Sequence, residues 1–286
     1  NFLRPINYFE NKGSAQCKSS VMLAALNTPG ETSIKSKKSR DHTEILFKNL
    51  DIPIKVKKTK NFDFIKIKGI QEFKSFNYKI PSDISSSAFF IVLTLLANKS
   101  NLKIEKVNVN PSRIGIIKIL NKMGAKITFK NKKIYKGEKI ADILVKSSNS
   151  LKGINCPTKL NSSAIDEFLV IFLVAAKAKG VSYFKNLSEL NQKESPRLKI
   201  ASKILNMIGI KTILTSHSIK IFGQPNLNLK KNYVIKNYLK DHRIFMMSTI
   251  AALSLGGKWK IHDPDSIKTS FPSFLNTIKK LGAKLN

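Results

Sequence analysis

Cysteine, histidine, acid and arginine are all in short supply in this chain of 286 residues. Two cysteines, Cys17 and Cys156, stand far apart without a Cys-x-x-Cys partner. That argues against a disulfide framework and fits a reducing compartment. The four histidines, His42, His217, His242 and His262, show no metal-ligand spacing, so no metal site is expected; a cofactor is not expected either. Long apolar runs are missing too. The longest, residues 89–97 (interrupted by Thr94) and 168–176, are too short to cross a bilayer, and no signal peptide is visible. A cytoplasmic protein with no membrane partner is expected. There is no initiator Met either, and the abrupt opening at Asn1 reads as a fragment.

Acid is scarce enough to matter: 18 Asp and Glu face 51 Lys and Arg, for a formal charge of +33. So basic a chain raises nucleic-acid binding as one class. Against it, the lysines form no single block and do not alternate with Phe or Tyr as in a single-strand binder. No zinc-finger or RNA-recognition spacing is present, so a solvated, lysine-rich surface is expected and no nucleic-acid partner.

Five arginines stand among 46 lysines. Where a point charge suffices, Lys has been used. Arg should persist where a planar fork is needed, typically for carboxylate or phosphate. Only Arg4 lacks polar company. The other four sit in Ser39-Arg40-Asp41-His42, Asn110-Pro111-Ser112-Arg113, Lys193-Glu194-Ser195-Pro196-Arg197 and Asp241-His242-Arg243. These clusters point to an anion site assembled from distant parts of the chain.

The chain also repeats itself. Polar or small residues open an apolar helix four times, at Ser14-Ala15-Gln16, Ser85-Ser86-Ser87, Ser163-Ala164-Ile165-Asp166 and Asp241-His242-Arg243. These helices are apolar nearly all round and should be buried. A strand follows, then an amphipathic helix with apolar positions such as 114, 116, 117, 119, 120 and 123. That second helix ends in Met123-Gly124-Ala125, Ile208-Gly209-Ile210 and Leu281-Gly282-Ala283, with a worn copy at Leu50-Asp51-Ile52. Each Gly reads as a helix C-cap. A hairpin closes each of the first three copies, and the fourth stops inside its final strand. The unit is β-α-β-α-β-β, about 70–80 residues long.

Taken in order, a set of short motifs resembles the 5-enolpyruvylshikimate-3-phosphate synthase family. They are Ser14-Ala15-Gln16, Arg40-Asp41-His42-Thr43-Glu44, Pro81-x-Asp83-x-Ser85-Ser86, Asn110-Pro111-Ser112-Arg113, Ile165-Asp166-Glu167, Lys193-Glu194-Ser195-x-Arg197, Asp241-His242-Arg243 and Thr269-Ser270-Phe271-Pro272. The resemblance implies an α/β fold (α+β type) of enolpyruvyl transferase-like, two-domain form, with buried parallel helices and outer sheets. Residues 1–80 would be the last unit of the N-terminal domain and 81–286 the C-terminal domain, with about a third of the enzyme missing before Asn1.

The implied reaction transfers the enolpyruvyl group of phosphoenolpyruvate to the 5-hydroxyl of shikimate 3-phosphate and releases phosphate. Both substrates are small polyanions, no metal takes part, and a monomer is expected. The 286-residue piece alone is expected to be inactive.

By the same resemblance, Ser14, Ala15, Gln16, Arg40, Asp166 and Lys193 would bind shikimate 3-phosphate. Gln16, Arg197 and Arg243 would bind phosphoenolpyruvate. Asp166 would be the base at the 5-hydroxyl, Lys193 would share in proton transfer, and Glu194 would protonate the methylene carbon. Plainer readings stand beside these. Ser14 is a good N-cap, Asp166 complements a helix dipole, Arg40 is a surface arginine, and Lys193 is one lysine among many.

Some positions depart from the family. Pro196 replaces a usual Asp, with Ser195 then read as the N-cap and Pro196 as the first helical residue. Ser82 replaces a usual Gly, and Thr269 stands where some relatives carry Lys. Arg113 has no assigned contact. A sister transferase acting on UDP-N-acetylglucosamine shares the fold but not the motifs around Lys193 and Asp241.

Overall fold

The computed structural model describes residues 3–72 and 74–285. Four modules follow one another. The first runs β1 (Asn7–Glu10), α1 (Ala15–Leu26), β2 (Glu31–Lys37), α2 (His42–Asn49), β3 (Ile54–Lys58) and β4 (Phe62–Lys68). The second has α3 (Ile84–Leu96), β5 (Asn101–Asn108), α4 (Gly115–Lys122), β6 (Lys126–Tyr135) and β7 (Glu138–Lys146). The third has α5 (Phe168–Lys177), β8 (Gly180–Phe184), α6 (Arg197–Met207), β9 (Thr212–Leu214) and β10 (Ile219–Gly223). The fourth has β11 (Leu229–Ile235), α7 (His242–Leu255), β12 (Gly256–Ile261) and α8 (Phe274–Lys280), with no strand among the described residues after it.

Strand pairing shows that the modules are copies. The sheets are ordered β1-β2-β4-β3, β5-β7-β6, β8-β10-β9 and β11-β12. In the first three, the last strand of the module lies between the two before it. The opening strand pairs parallel to the next in the first and fourth modules. In the middle two it shrinks to parallel bridges, Ser82 to Val107, then Lys152 to Lys179 and Asn155 to Tyr183.

The helix ends repeat as well. Gly124, Gly209 and Gly282 all take positive φ, at 93°, 85° and 97°. The residue after each donates its N–H back across the turn, Ala125 to Leu120, Ile210 to Leu205 and Ala283 to Ile278. This is the left-handed cap that glycine adopts without steric cost. Asp51 makes the same cap at φ 54°, with Ile52 donating to Phe47. The worn copy is therefore a real one, made by an acidic residue that tolerates this region better than most.

The helix starts differ from expectation in two places. Asp83, not a serine, caps α3, accepting from the Ser86 N–H at 2.9 Å. Before α5 a 3-10 turn (Ile165–Glu167) intervenes, so Asp166 sits in a tight turn one step ahead of the helix.

Contacts divide the chain into two compact units. One comprises Asn1–Pro81, Asn108–Ile114 and Asn131–Ala141, the other Ser82–Val107, Gly115–Lys130 and Asp142–Asn286. In the first, α1 and α2 cover one face of the β1-β2-β4-β3 sheet over Met22, Ala25, Ile34, Phe47, Ile52, Ile65 and Ile67. Burial alternates along the antiparallel pair β2 and β4, as a sheet covered on one face requires. Here α1 is not buried all round. It covers only Lys18, Met22 and Ala25, one stripe at helical spacing, and Leu23 is 55% exposed.

In the second unit α3, α5 and α7 pack against one another. Every residue of 168–176 is buried, and the rings of Phe168, Phe172 and Phe184 meet at 5.2–5.8 Å. Phe271, from the Thr-Ser-Phe-Pro motif, and Phe274 pack against Phe90 at 6.0 Å, which fastens α8 to α3.

Candidate active site

In the second unit, the loops that open α5, α6 and α7 bring together Asp166, Lys193, Glu194, Arg197, Asp241 and Arg243. Arg197 is at the centre. It is 1% exposed, an unusual place for a guanidinium unless carboxylates surround it. Its Nε donates to Asp241 Oδ2 at 2.9 Å and its Nη2 to Asp241 Oδ1 at 3.3 Å. Nη2 also reaches Glu194 Oε2 at 2.5 Å. Its remaining prong, Nη1, lies 3.8 Å from Asp166 Oδ1. The fork is planar and rigid, so fixing two prongs on Asp241 also fixes the direction of the third.

Asp166 faces a second cation, Lys193 Nζ, at 3.7 Å. Lys193 is drawn to the other side by Glu189 at 2.9 Å. Arg243 completes the cluster from α7, its Nη1 donating to the backbone carbonyl of Asp166 at 2.8 Å. One carboxylate thus stands among three cationic side chains, two near its oxygen and one holding its main chain.

Asp241 ties the cluster down. Its Oδ1 caps α7 by accepting from the Arg243 N–H at 2.9 Å, and its Oδ2 accepts from Ser195 Oγ at 2.8 Å. Burial alone would raise its pKa. Hydrogen bonds and charge from Arg197, with Ser195 and the Arg243 N–H, outweigh that and hold it below the ordinary carboxylate value. The neighbouring His242 is pushed below the usual histidine value by burial, and next by the Arg243 charge.

The start of α6 corrects one expectation. The helix begins at Arg197, and Pro196 is its cap residue, accepting from the Ile200 N–H through its carbonyl. Ser195 does not cap, because its hydroxyl is committed to Asp241. Pro196 still suits the place, since the missing N–H is one that a helix start leaves unused.

In the first unit, Ser14 caps α1 and accepts from the Cys17 N–H at 3.2 Å. The first N–H groups of that helix belong to Ala15 and Gln16, which have no partner within a helix by construction. The approach is rigid. Buried Glu10 accepts from the Lys12 and Gly13 N–H groups at 2.9 and 2.7 Å, and Gly13 takes φ 79°. Arg40 is half-buried between β2 and α2, and its carbonyl accepts from Lys18 Nζ at 2.8 Å.

Asp41 and His42 join the Asn-Pro motif within the same unit. Asn110 donates to Asp41 at 2.9 Å, and His42 Nδ1 meets Glu138 at 2.5 Å. That gives residues 110–113 a structural task beside α2. Burial would raise the pKa of Glu138, but His42, Asn108 and Asn110 together lower it.

Two residues escaped the sequence reading. Asp241 was read as part of a helix start and of a motif but given no role of its own, and nothing in sequence shows that its second oxygen holds Arg197. Lys18 was one lysine among 46. Of the departures noted in sequence, Ser82 bonds its hydroxyl to the Glu105 carbonyl at 3.1 Å, and Thr269 is exposed. Among the described residues no cluster of three or more His, Cys, Asp or Glu could hold a metal ion, and no helix is long and apolar enough to cross a membrane.

Repeated modules with helices packed over sheets, and a carboxylate among fixed cations at three helix starts, define an α/β protein of the enolpyruvyl transferase fold. The family model described as EPSP synthase (3-phosphoshikimate 1-carboxyvinyltransferase) matches residues 2–278, and the chain belongs to that family. It is 41% identical over 285 residues to the 3-phosphoshikimate 1-carboxyvinyltransferase of Ruthia magnifica subsp. Calyptogena magnifica, covering 99% of this chain and 64% of that protein. It is 39% identical to the same-named protein of Vesicomyosocius okutanii subsp. Calyptogena okutanii, over 99% of this chain and 64% of that one.

Among solved structures, an EPSP synthase from Acinetobacter baumannii superposes with TM-score 0.88 at 36% identity, over 98% of this chain and 63% of that one. The enolpyruvyl transferase NikO from Streptomyces tendae, at 15% identity and TM-score 0.70, shares the fold. The chain spans about 64% of the length of the curated relatives it matches.

Proposed function

We propose that this chain carries the larger part of an enzyme that transfers the enolpyruvyl group of phosphoenolpyruvate to the 5-hydroxyl of shikimate 3-phosphate, releasing phosphate. The observation that carries the reading is Asp166, flanked by Lys193 and Arg197 at 3.7 and 3.8 Å and anchored by Arg243. In the family of 3-phosphoshikimate 1-carboxyvinyltransferases, that cluster supports the following roles.

Asp166 takes the proton of the acceptor hydroxyl as general base. Lys193, close to the same oxygen, stabilises the charge that develops and relays the proton. Glu194 is more than half exposed, so it can protonate the methylene carbon of phosphoenolpyruvate as the acceptor oxygen adds to the neighbouring carbon. The resulting methyl group then gives up a proton as phosphate leaves, which restores the double bond. Arg243 and the Nη1 prong of Arg197, the one beside Asp166, take the phosphate and carboxylate. Charge fixed in place before reaction stabilises a polyanionic intermediate without reorganisation. Ser14, Ala15, Gln16 and Arg40 bind shikimate 3-phosphate, at a helix N-terminus that favours an anion, and Gln16 also binds phosphoenolpyruvate.

In this reading residues 1–80 form the last module of an N-terminal domain and 81–286 a C-terminal domain. The enzyme acts as a cytoplasmic monomer. The test is phosphate release by the protein expressed from its complete gene. Release that requires both shikimate 3-phosphate and phosphoenolpyruvate supports the reading. Release with UDP-N-acetylglucosamine in place of shikimate 3-phosphate, or none with either acceptor, contradicts it.

A further inference from the structure

Lys18 is the one lysine among the described residues that is buried, with 0% exposure, in a chain whose other lysines lie at or near the surface. Removing an ammonium from water is costly unless partners replace the lost hydration. Nζ has two: it donates to the Arg40 carbonyl at 2.8 Å, and lies 2.6 Å from Glu44 Oε1 in an ion pair outside hydrogen-bond geometry. Its main-chain N–H donates one turn back to the Ser14 carbonyl at 3.2 Å. Beside it, Ser19 and Thr43 share a hydroxyl hydrogen bond at 2.7 Å. A single residue therefore bonds the cap of α1 through its backbone and the Arg40 segment through its side chain.

We propose that Lys18 is a positioning residue for the phosphorylated acceptor: it fixes Arg40 against the first turn of α1, so that both meet the same shikimate 3-phosphate. The inference rests on the reading above that Ser14, Gln16 and Arg40 bind that substrate. Lys18 itself need not touch it. A merely structural ion pair can be exchanged for apolar side chains at little cost, whereas removing one partner leaves a buried charge stranded. A positioning lysine cannot be exchanged in this way, because no apolar side chain holds the Arg40 carbonyl.

The test uses Lys18→Met/Glu44→Met in the protein expressed from its complete gene, since Lys18→Met alone would strand Glu44. Calorimetry with shikimate 3-phosphate should show affinity falling about 10- to 100-fold, the scale of a contact displaced by about an ångström. kcat at saturation and KM for phosphoenolpyruvate should stay within about threefold. Arg40→Ala should cost about 10-fold or more alone, as for a bond to a charged group, and less than about threefold in the Met/Met background, because the two act through one contact.

Met/Met protein with an unshifted melting curve that binds shikimate 3-phosphate as the parent does would overturn the proposal. So would an Arg40→Ala cost that is undiminished in the double background. If Arg40→Ala alone leaves affinity unchanged, Arg40 is no phosphate contact, and the proposal falls with that reading while turnover itself survives.

Discussion

Replacing Asp241 with Asn removes the main counter-charge of the most deeply buried cation in the second unit. The Arg197 and Asp241 side chains are 1% and 0% exposed. Breaking such a pair from one side costs about 3–5 kcal/mol, because the remaining charge stays buried. Two features place this case at the lower end. Glu194 still faces Nη2 at 2.5 Å, although it is 55% exposed. The Asn oxygen can also still accept from the Arg243 N–H, so the cap of α7 survives.

The expected loss is about 3 kcal/mol, a fall in Tm of roughly 6–12 °C for a unit of this size. The chain's single tryptophan, Trp259, provides the assay. It lies in the same unit, its ring tilted against Tyr233 at 4.9 Å, so its fluorescence during urea unfolding follows that unit. Adding Arg197→Met removes the stranded charge and should restore most of the loss. A single-variant loss under about 1 kcal/mol, or a double variant no more stable than the single, would refute the reasoning.

Acid should weaken the fold in a defined window. Asp41, Glu138 and Asp241 all have folded pKa values below their ordinary 3.8, 4.5 and 3.8. The unfolded chain therefore takes up protons first, and their stabilisation is full above those ordinary values and lost as pH falls through the lower, folded ones. His242 is lowered from 6.5 and adds a loss starting below that pH. Urea midpoints measured from pH 8 downward should fall first with His242 and then with the carboxylates, and Asp41→Asn with Glu138→Gln should flatten the lower limb. The two thiols should differ sharply: exposed Cys17 should react at once with a thiol reagent at pH 8, whereas Cys156, buried and pushed up to about 11, should react only on unfolding. Arg243→Lys should lower kcat/KM for phosphoenolpyruvate about 10- to 100-fold by losing the fork, with shikimate 3-phosphate affinity unchanged in calorimetry.

The modules were legible because helix C-caps leave a mark: Gly124, Gly209 and Gly282 are spaced by the repeat and all take positive φ. The apolar stretch 168–176 announced its burial by composition alone. The amphipathic face of α4 was equally readable, and Ile116, Ile117, Ile119 and Leu120 are buried. The opening strands of the middle modules were not legible, because they persist only as bridges made by polar residues such as Ser82 and Lys152. Nor was the exposure of Leu23 on α1, since burial depends on what packs against a face and not on its own residues.

At the site, the scarcity of arginine drew attention to Arg197 and Arg243, and the structure sets both beside Asp166. What holds them could not be read. The second oxygen of Asp241 looks like an ordinary helix cap until the chain folds, and Lys18 differs from the other lysines only in its surroundings.

Asp166 carries the central claim, and Asp166→Asn in the protein expressed from its complete gene tests it most directly. The amide keeps the shape and the backbone bond to Arg243, but it cannot accept the hydroxyl proton as a carboxylate does. Phosphate release with both substrates should fall about 100-fold or more, while calorimetric affinity for shikimate 3-phosphate stays within about threefold of the parent. Phosphate release within a few-fold of the parent would contradict the account and remove Asp166 from the chemistry.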